Sequence, residues 1–168
     1  LNRAAARVVE SANATGRGLW QDGGVSRQQH RGPGPKDERL FGADQLPALR
    51  AAARDLCWLL DRGYAPRSAL ELVGNRYNLT SRQRMAVSRY ACSRAEVEQR
   101  RQREVAPAEL RGEELWLDGF NVLTVLESAL AGGIVIPGRD GCCRDIAGIH
   151  RRYRKMQETA TALRLVGE

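Results

Sequence analysis

The chain has 168 residues, 42 % of them hydrophobic, and a formal net charge of +7. That length allows one domain or two small ones, and no stretch approaches the ~20 apolar residues of a membrane-spanning helix. No signal-peptide pattern opens the sequence, so the cytoplasm is the expected compartment. The four cysteines, Cys57, Cys92, Cys142 and Cys143, form no CxxC pair, and His30 and His150 have no ligand-like spacing to them. Reduced thiols are therefore expected and a zinc site is not. No nucleotide-cofactor motif is read. The basic balance points to an acidic partner, nucleic acid first, set against a well-solvated arginine-rich surface as the plain alternative.

Residues 1–35 are rich in Gly, Arg, Gln and Ser and end in HRGPGPK; they read as a disordered leader. A helical domain follows over 36–106. Leu46, Leu49, Ala53, Leu56 and Leu60 recur at three and four, which predicts an amphipathic helix over 44–62, with Asp44 as N-cap, Pro47 in the first turn and Gly63 as its stop. Pro66 opens a short helix that buries Ala69, Leu70 and Val73, and Asn75 to Asn78 break it. Thr80 to Gln83 and Ser93 to Glu96 are two capping boxes, each starting a further helix. The helix after Ser93 is polar nearly all round, and Pro107 closes the region.

The texture then changes over 107–168. Leu115 to Leu117 is a strand candidate, and Asn121 to Ala131 a helix stopped by Gly132 and Gly133. Ile134 to Ile136 is a short β-type run. After the loop GRDGCCRD comes a predicted helix over 145–163, its polar face carrying Arg151, Arg152, Arg154 and Lys155.

A strand that ends in Asp118 and turns through Gly119 into a helix puts a carboxylate on the rim where open α/β sheets bind ligands. Asn121 can cap that helix, and an acid there can hold a hard cation such as Mg²⁺ or Mn²⁺. An ordinary Asp-Gly turn fits the same residues. Glu127 falls on an apolar helix face, where a carboxylate needs a partner: a metal shared with Asp118, or an arginine. Asp140 and Asp145 flank the Cys pair and could lend further oxygens, although Asp145 also reads as the N-cap of the last helix. Two cations about 4 Å apart would activate a water against a phosphodiester. In the helical half, helix–break–helix invites a helix-turn-helix reading with Arg82, Arg84 and Arg89 on a recognition helix, beside the simpler helical hairpin.

DGFNVL resembles the first strand of PIN-like and NYN-like nuclease folds, in which a strand-end Asp followed by G-[YF]-N opens the metal site. Two longer stretches, Arg62 to Ser93 and Leu117 to Glu168, resemble the prokaryotic domain-of-unknown-function 434 proteins, in which a helical front half is joined to a PIN-like back half. The resemblance runs from about Arg31 to the last residue. It implies a mixed α/β, predominantly helical chain: a small helical domain, then the first part of a PIN-like domain. Carried over by position, Asp118 would be the first metal ligand and Asn121 a neighbour orienting it or the substrate. Glu127 matches the second acid more loosely. The later strands and acids of a PIN-like domain are absent from this sequence, which reads either as truncated or as taking those ligands from elsewhere. The implied activity is Mg²⁺- or Mn²⁺-dependent cleavage of RNA by the full-length protein, the fragment being inactive. The alternatives are a nucleic-acid-binding module without catalysis and a protein-interaction adaptor.

Overall fold

A computed structural model describes residues 30–147, 153 and 155–167 of the chain. Its elements in order are α1 (Asp37–Leu40), α2 (Leu46–Leu60), α3 (Pro66–Arg76), α4 (Ser81–Tyr90), α5 (Arg94–Arg101), a 3₁₀ turn (Pro107–Leu110), α6 (Gly119–Leu130), β1 (Val135–Pro137), β2 (Cys143–Asp145) and α7 (Thr159–Gly167). Residues 1–29, including most of the predicted leader, lie outside the described residues, as do 148–152 and 154.

The helical half follows its local signals. Pro47 sits in the first turn of α2, and Gly63 follows the helix at φ +79°, a left-handed conformation that costs glycine little. The cap is Gln45 rather than Asp44, with no side-chain hydrogen bond. Both capping boxes are complete at the starts of α4 and α5. Leu49, Ala52, Leu56 and Leu59 of α2 pack with Ala69 and Val73 of α3, with Leu79 and with Val87 of α4. Helix α5 buries no residue. Tyr77 closes the α2–α3 side by donating its hydroxyl to Asp55 at 2.8 Å.

The second half departs from expectation. Among the described residues the sheet is a two-stranded antiparallel hairpin pairing Val135 with Asp145, Ile136 with Arg144 and Pro137 with Cys143. The multi-stranded parallel sheet of a PIN-like domain is not present there, so the expected PIN-like half is corrected to a helix–hairpin–helix arrangement in a predominantly helical chain. Leu115 to Leu117 is not a strand; these side chains are 54 %, 90 % and 57 % exposed. An apolar run forms no ladder without a strand beside it to bond to, and among the described residues none pairs with this one. The helix predicted from Asp145 is corrected too. Asp145 ends β2, Ile146 turns into the core at 1 % exposure, and the helix begins at Thr159.

Ion pairs fasten the hairpin to the helical half. At its tip the Arg139 backbone N–H donates to the Tyr90 carbonyl at 2.9 Å, and its guanidinium donates to Asp61 and to the Cys92 carbonyl. Arg100 of α5 reaches Asp140 at 2.7 Å. Before α1, His30, Arg31 and Gly32 lie along the second half, where Arg31 pairs with Glu127 and His30 with Glu158.

Candidate functional site

The acids singled out by sequence are each engaged in a different place. Asp118 is the N-cap of α6, and its carboxylate accepts the Asn121 side-chain amide at 2.6 Å. Asn121 therefore serves Asp118 locally and does not cap the helix itself. Glu127 is fully buried, on a face of α6 that also buries Thr124 and Ser128. Its carboxylate accepts from Arg31 Nε, from the Tyr153 hydroxyl at 2.6 Å and from the Thr159 hydroxyl at 2.5 Å. Burial alone would raise its pKa, but the hydrogen bonds from Thr159, Tyr153 and Arg31 outweigh that and leave it below the ordinary value. Asp140, its side chain also buried, accepts both terminal nitrogens of Arg144, at 2.8 and 2.6 Å. Asp145 accepts the Ala147 backbone N–H at 2.7 Å.

These placements overturn the expected nuclease. Among the described residues no three His, Cys, Asp or Glu side chains come together in a group able to hold a metal ion. Of the two alternatives for Glu127, the arginine is realised. Both oxygens of that carboxylate are already engaged, one by the Arg31 guanidinium and the other by the Tyr153 and Thr159 hydroxyls. The reading as a metal-dependent phosphodiesterase is corrected accordingly.

Two of the three predicted recognition-helix arginines, Arg82 and Arg84, are used within the fold. Arg82 pairs with Asp37 and donates to the Ile146 carbonyl at 3.1 Å. Arg84 reaches back to α3, donating to the Leu79 carbonyl at 2.9 Å and to Asn75 Oδ1 at 2.8 Å. Its guanidinium lies so near Gly74 that an added Cβ would come within 2.5 Å of it, so glycine makes room for this brace. Arg89 and Lys155 are exposed, and Arg151, Arg152 and Arg154 lie outside the described residues.

A different cationic site forms between α2, α4, α5 and the hairpin tip. It is a groove of about 1080 Å³ lined by Arg54, Trp58, Asp61, Arg62, Tyr90, Ser93, Arg94 and Arg139, among others. Arg54, Trp58 and Arg62 follow one another at i, i+4 and i+8, so α2 and its exit present them on one side. The Arg62 guanidinium lies 3.5 Å from the Trp58 ring centroid and donates to the Trp58 carbonyl at 3.2 Å. Asp61 accepts Arg139 and the Arg94 backbone N–H, and these bonds, the one from Arg139 first, hold its carboxyl below the ordinary range. The signal in the sequence was a tryptophan on the polar face of an amphipathic helix with an arginine four residues to either side.

Five carboxylates share a pH signature. Asp37, Asp61 and Asp140 are held below the ordinary aspartate range, chiefly by hydrogen bonds from Arg82, Arg139 and Arg144 respectively, Glu96 is lowered chiefly by the Ser93 backbone N–H, and Glu127 is lowered as described above. Folded values below unfolded ones mean stability that is complete above the unfolded pKa and lost as pH falls through the folded one. Melting temperature is therefore expected to be level between about pH 5 and 7 and to drop steeply below about pH 4. A level profile down to pH about 2 would contradict these pairings.

The comparisons divide the chain between two descriptions. A family model described as a protein of unknown function (DUF434) matches residues 48–103, and one described as a domain of unknown function (DUF5616) matches residues 107–168. The resemblance to the first family, expected from Arg31 to the last residue, is thus confined to the helical half. Over 121 residues, 72 % of the chain, the sequence is 27 % identical to an uncharacterised protein of Methanocaldococcus jannaschii. The chain spans 58 % of the length of that curated relative. No solved structure matches. No helix among the described residues is long and apolar enough to cross a membrane.

Proposed function

We propose that the chain is a nucleic-acid-binding module that holds backbone phosphates in the Trp58 groove, with RNA put ahead of DNA. The observation that carries this reading is the charge of the groove, where four arginines face the single carboxylate of Asp61. That carboxylate is already matched by Arg139 and Arg94, so the surplus is cationic. Phosphate oxygens are the acceptors that guanidinium forks fit best. RNA comes first because its recognition relies on unpaired bases stacked on aromatic rings and guanidinium planes. Mg²⁺ and Mn²⁺ enter this reading only as counter-ions of the bound phosphates. The cytoplasm is its proposed compartment, supported by four unpaired cysteines that a reducing environment would keep free.

Salt dependence tests the proposal. Fluorescence anisotropy of a short labelled RNA strand, titrated across KCl concentrations, is expected to give a log–log slope of about −2, as three phosphate contacts on a single strand would. Arg54→Glu and Arg62→Glu should each weaken binding by about tenfold or more and flatten that slope. Arg111→Glu, exposed and outside the groove, should leave the slope near its starting value. Absence of binding at low salt, or an equal loss from Arg111→Glu, would remove the groove from consideration. Tighter binding of a DNA strand of the same sequence would overturn the preference for RNA.

A further inference from the structure

Trp58 is 52 % exposed although it belongs to the longest helix of the fold, and Arg62 covers it at a separation that fits a guanidinium lying flat on the indole. The bond from Arg62 to the Trp58 carbonyl pins the guanidinium over the ring. A planar cation held this way offers an outer face on which another flat π-system can lie. Arg54, one helical turn before Trp58, and Arg94 line the same groove; Arg94 keeps 85 % of its side chain exposed while its Nε lies 3.4 Å from Asp61, a carboxylate that Arg139 also holds, so its remaining guanidinium N–H groups face an incoming phosphate. Flat cationic platform and flanking cations match the repeat of a nucleotide chain, in which base and phosphate alternate. Bases in a duplex are stacked on one another and closed to such a platform, whereas unpaired bases are free to join it.

We infer that the groove takes single-stranded nucleic acid, with one unpaired base continuing the Arg62–Trp58 stack and the adjoining phosphates on Arg54 and Arg94; this rests on the nucleic-acid reading above. A groove that bound phosphates alone would not distinguish strands by their bases. One that stacks a base must.

The test compares three ligands of equal length: an intact single strand, the same strand with abasic sites, which keeps every phosphate, and a duplex, which doubles the phosphates and so would bind best to a groove that felt charge alone. The intact strand is expected to bind about tenfold or more tightly than either of the others, the contribution of a stacked base. Trp58→Phe retains an aromatic plane and should keep most of that gap. Arg62→Lys retains the charge but loses the plane, and should close the gap while leaving the salt slope in place. A DNA strand that shows the same gap supports the inference, since base and phosphate are common to both. Equal affinity for intact and abasic strands, with the salt slope retained, would overturn the stacked base and leave phosphate binding standing. Absent or salt-independent binding of all three would overturn both. Thermal melts of each variant confirm that both exposed side chains can be replaced in a folded chain.

Discussion

Replacing Arg31 by methionine is expected to lower stability by about 3 kcal/mol, the low end of the cost of stripping one partner from a buried ion pair. Arg31 is 7 % exposed and Glu127 fully buried, so the carboxylate left behind could not reach water without opening the second half of the molecule. The low end applies because the original pair is imperfect: Arg31 Nη2 finds no hydrogen-bond partner among the described residues. The Tyr153 and Thr159 hydroxyls would still bond the carboxylate, but neutral donors offset little of a buried charge. In the variant Glu127 should therefore protonate at a higher pH, moving the acid-induced loss of stability toward neutrality. The double variant Arg31→Met/Glu127→Leu removes both charges and should recover most of the loss, since Tyr153 and Thr159 stand 3.1 Å apart and can bond each other. Denaturant unfolding of the four proteins of this cycle measures the coupling directly. An additive double variant would show that the pair does not act as drawn. A chain starting at Pro35 should be destabilised at least as much as Arg31→Met. The counter-ion of the second half sits ahead of residue 48, where the matched family regions begin.

Asp140→Ala is expected to cost about 2–3 kcal/mol, less than loss of Arg31 because the groups it abandons can turn to solvent. The Asp140 side chain is completely buried, while those of Arg144 and Arg100 are 26 % and 43 % exposed. The carboxylate spans two elements, accepting Arg144 within the hairpin and Arg100 from α5, together with the Cys142 backbone N–H at 3.2 Å. Its removal should therefore release the hairpin tip before the α2–α4 core, which has its own apolar cluster. Hydrogen exchange should quicken at Cys142 and the β1–β2 amides while those of α2 stay protected. Asp140→Asn keeps the shape and loses the charge, and should fall between. An unchanged unfolding midpoint with unchanged hairpin exchange would reduce this cluster to a surface feature.

The helical half was legible because its instructions are local. The Thr80–Gln83 and Ser93–Glu96 boxes act over three residues, the α2 periodicity over four, and Pro66 and Gly63 at single positions. Legibility failed where a segment needed something remote. Leu115–Leu117 had strand composition, but composition supplies no neighbouring strand. The apolar period from Ile146 onward looked helical, yet Asp145 is paired with Val135 and Tyr153 is drawn to Glu127, and neither partner can be read from a repeat of three and four. The groove went unread in the sequence, although Arg54, Trp58 and Arg62 stand there in one helical row. Arg94 and Arg139 join it only through the docking of α5 and the hairpin tip.

The acids show the division most clearly. By itself the sequence determined that a turn at Asp118 and Gly119 leads into a helix, but it put the cap at Asn121, where the structure puts it at Asp118 with Asn121 bonded to its carboxylate. It also determined that a carboxylate at position 127 would need a partner, because a charge on a helix face destined for burial cannot be left alone. Which partner was decided by the tertiary structure. With 27 Lys and Arg residues against 20 Asp and Glu, spacing leaves every acid with many possible counter-ions. Only the path of the chain brings Arg31 to Glu127 across 96 residues and Arg139 to Asp61 across 78. Coulomb attraction falls off with distance in space and is indifferent to distance in sequence.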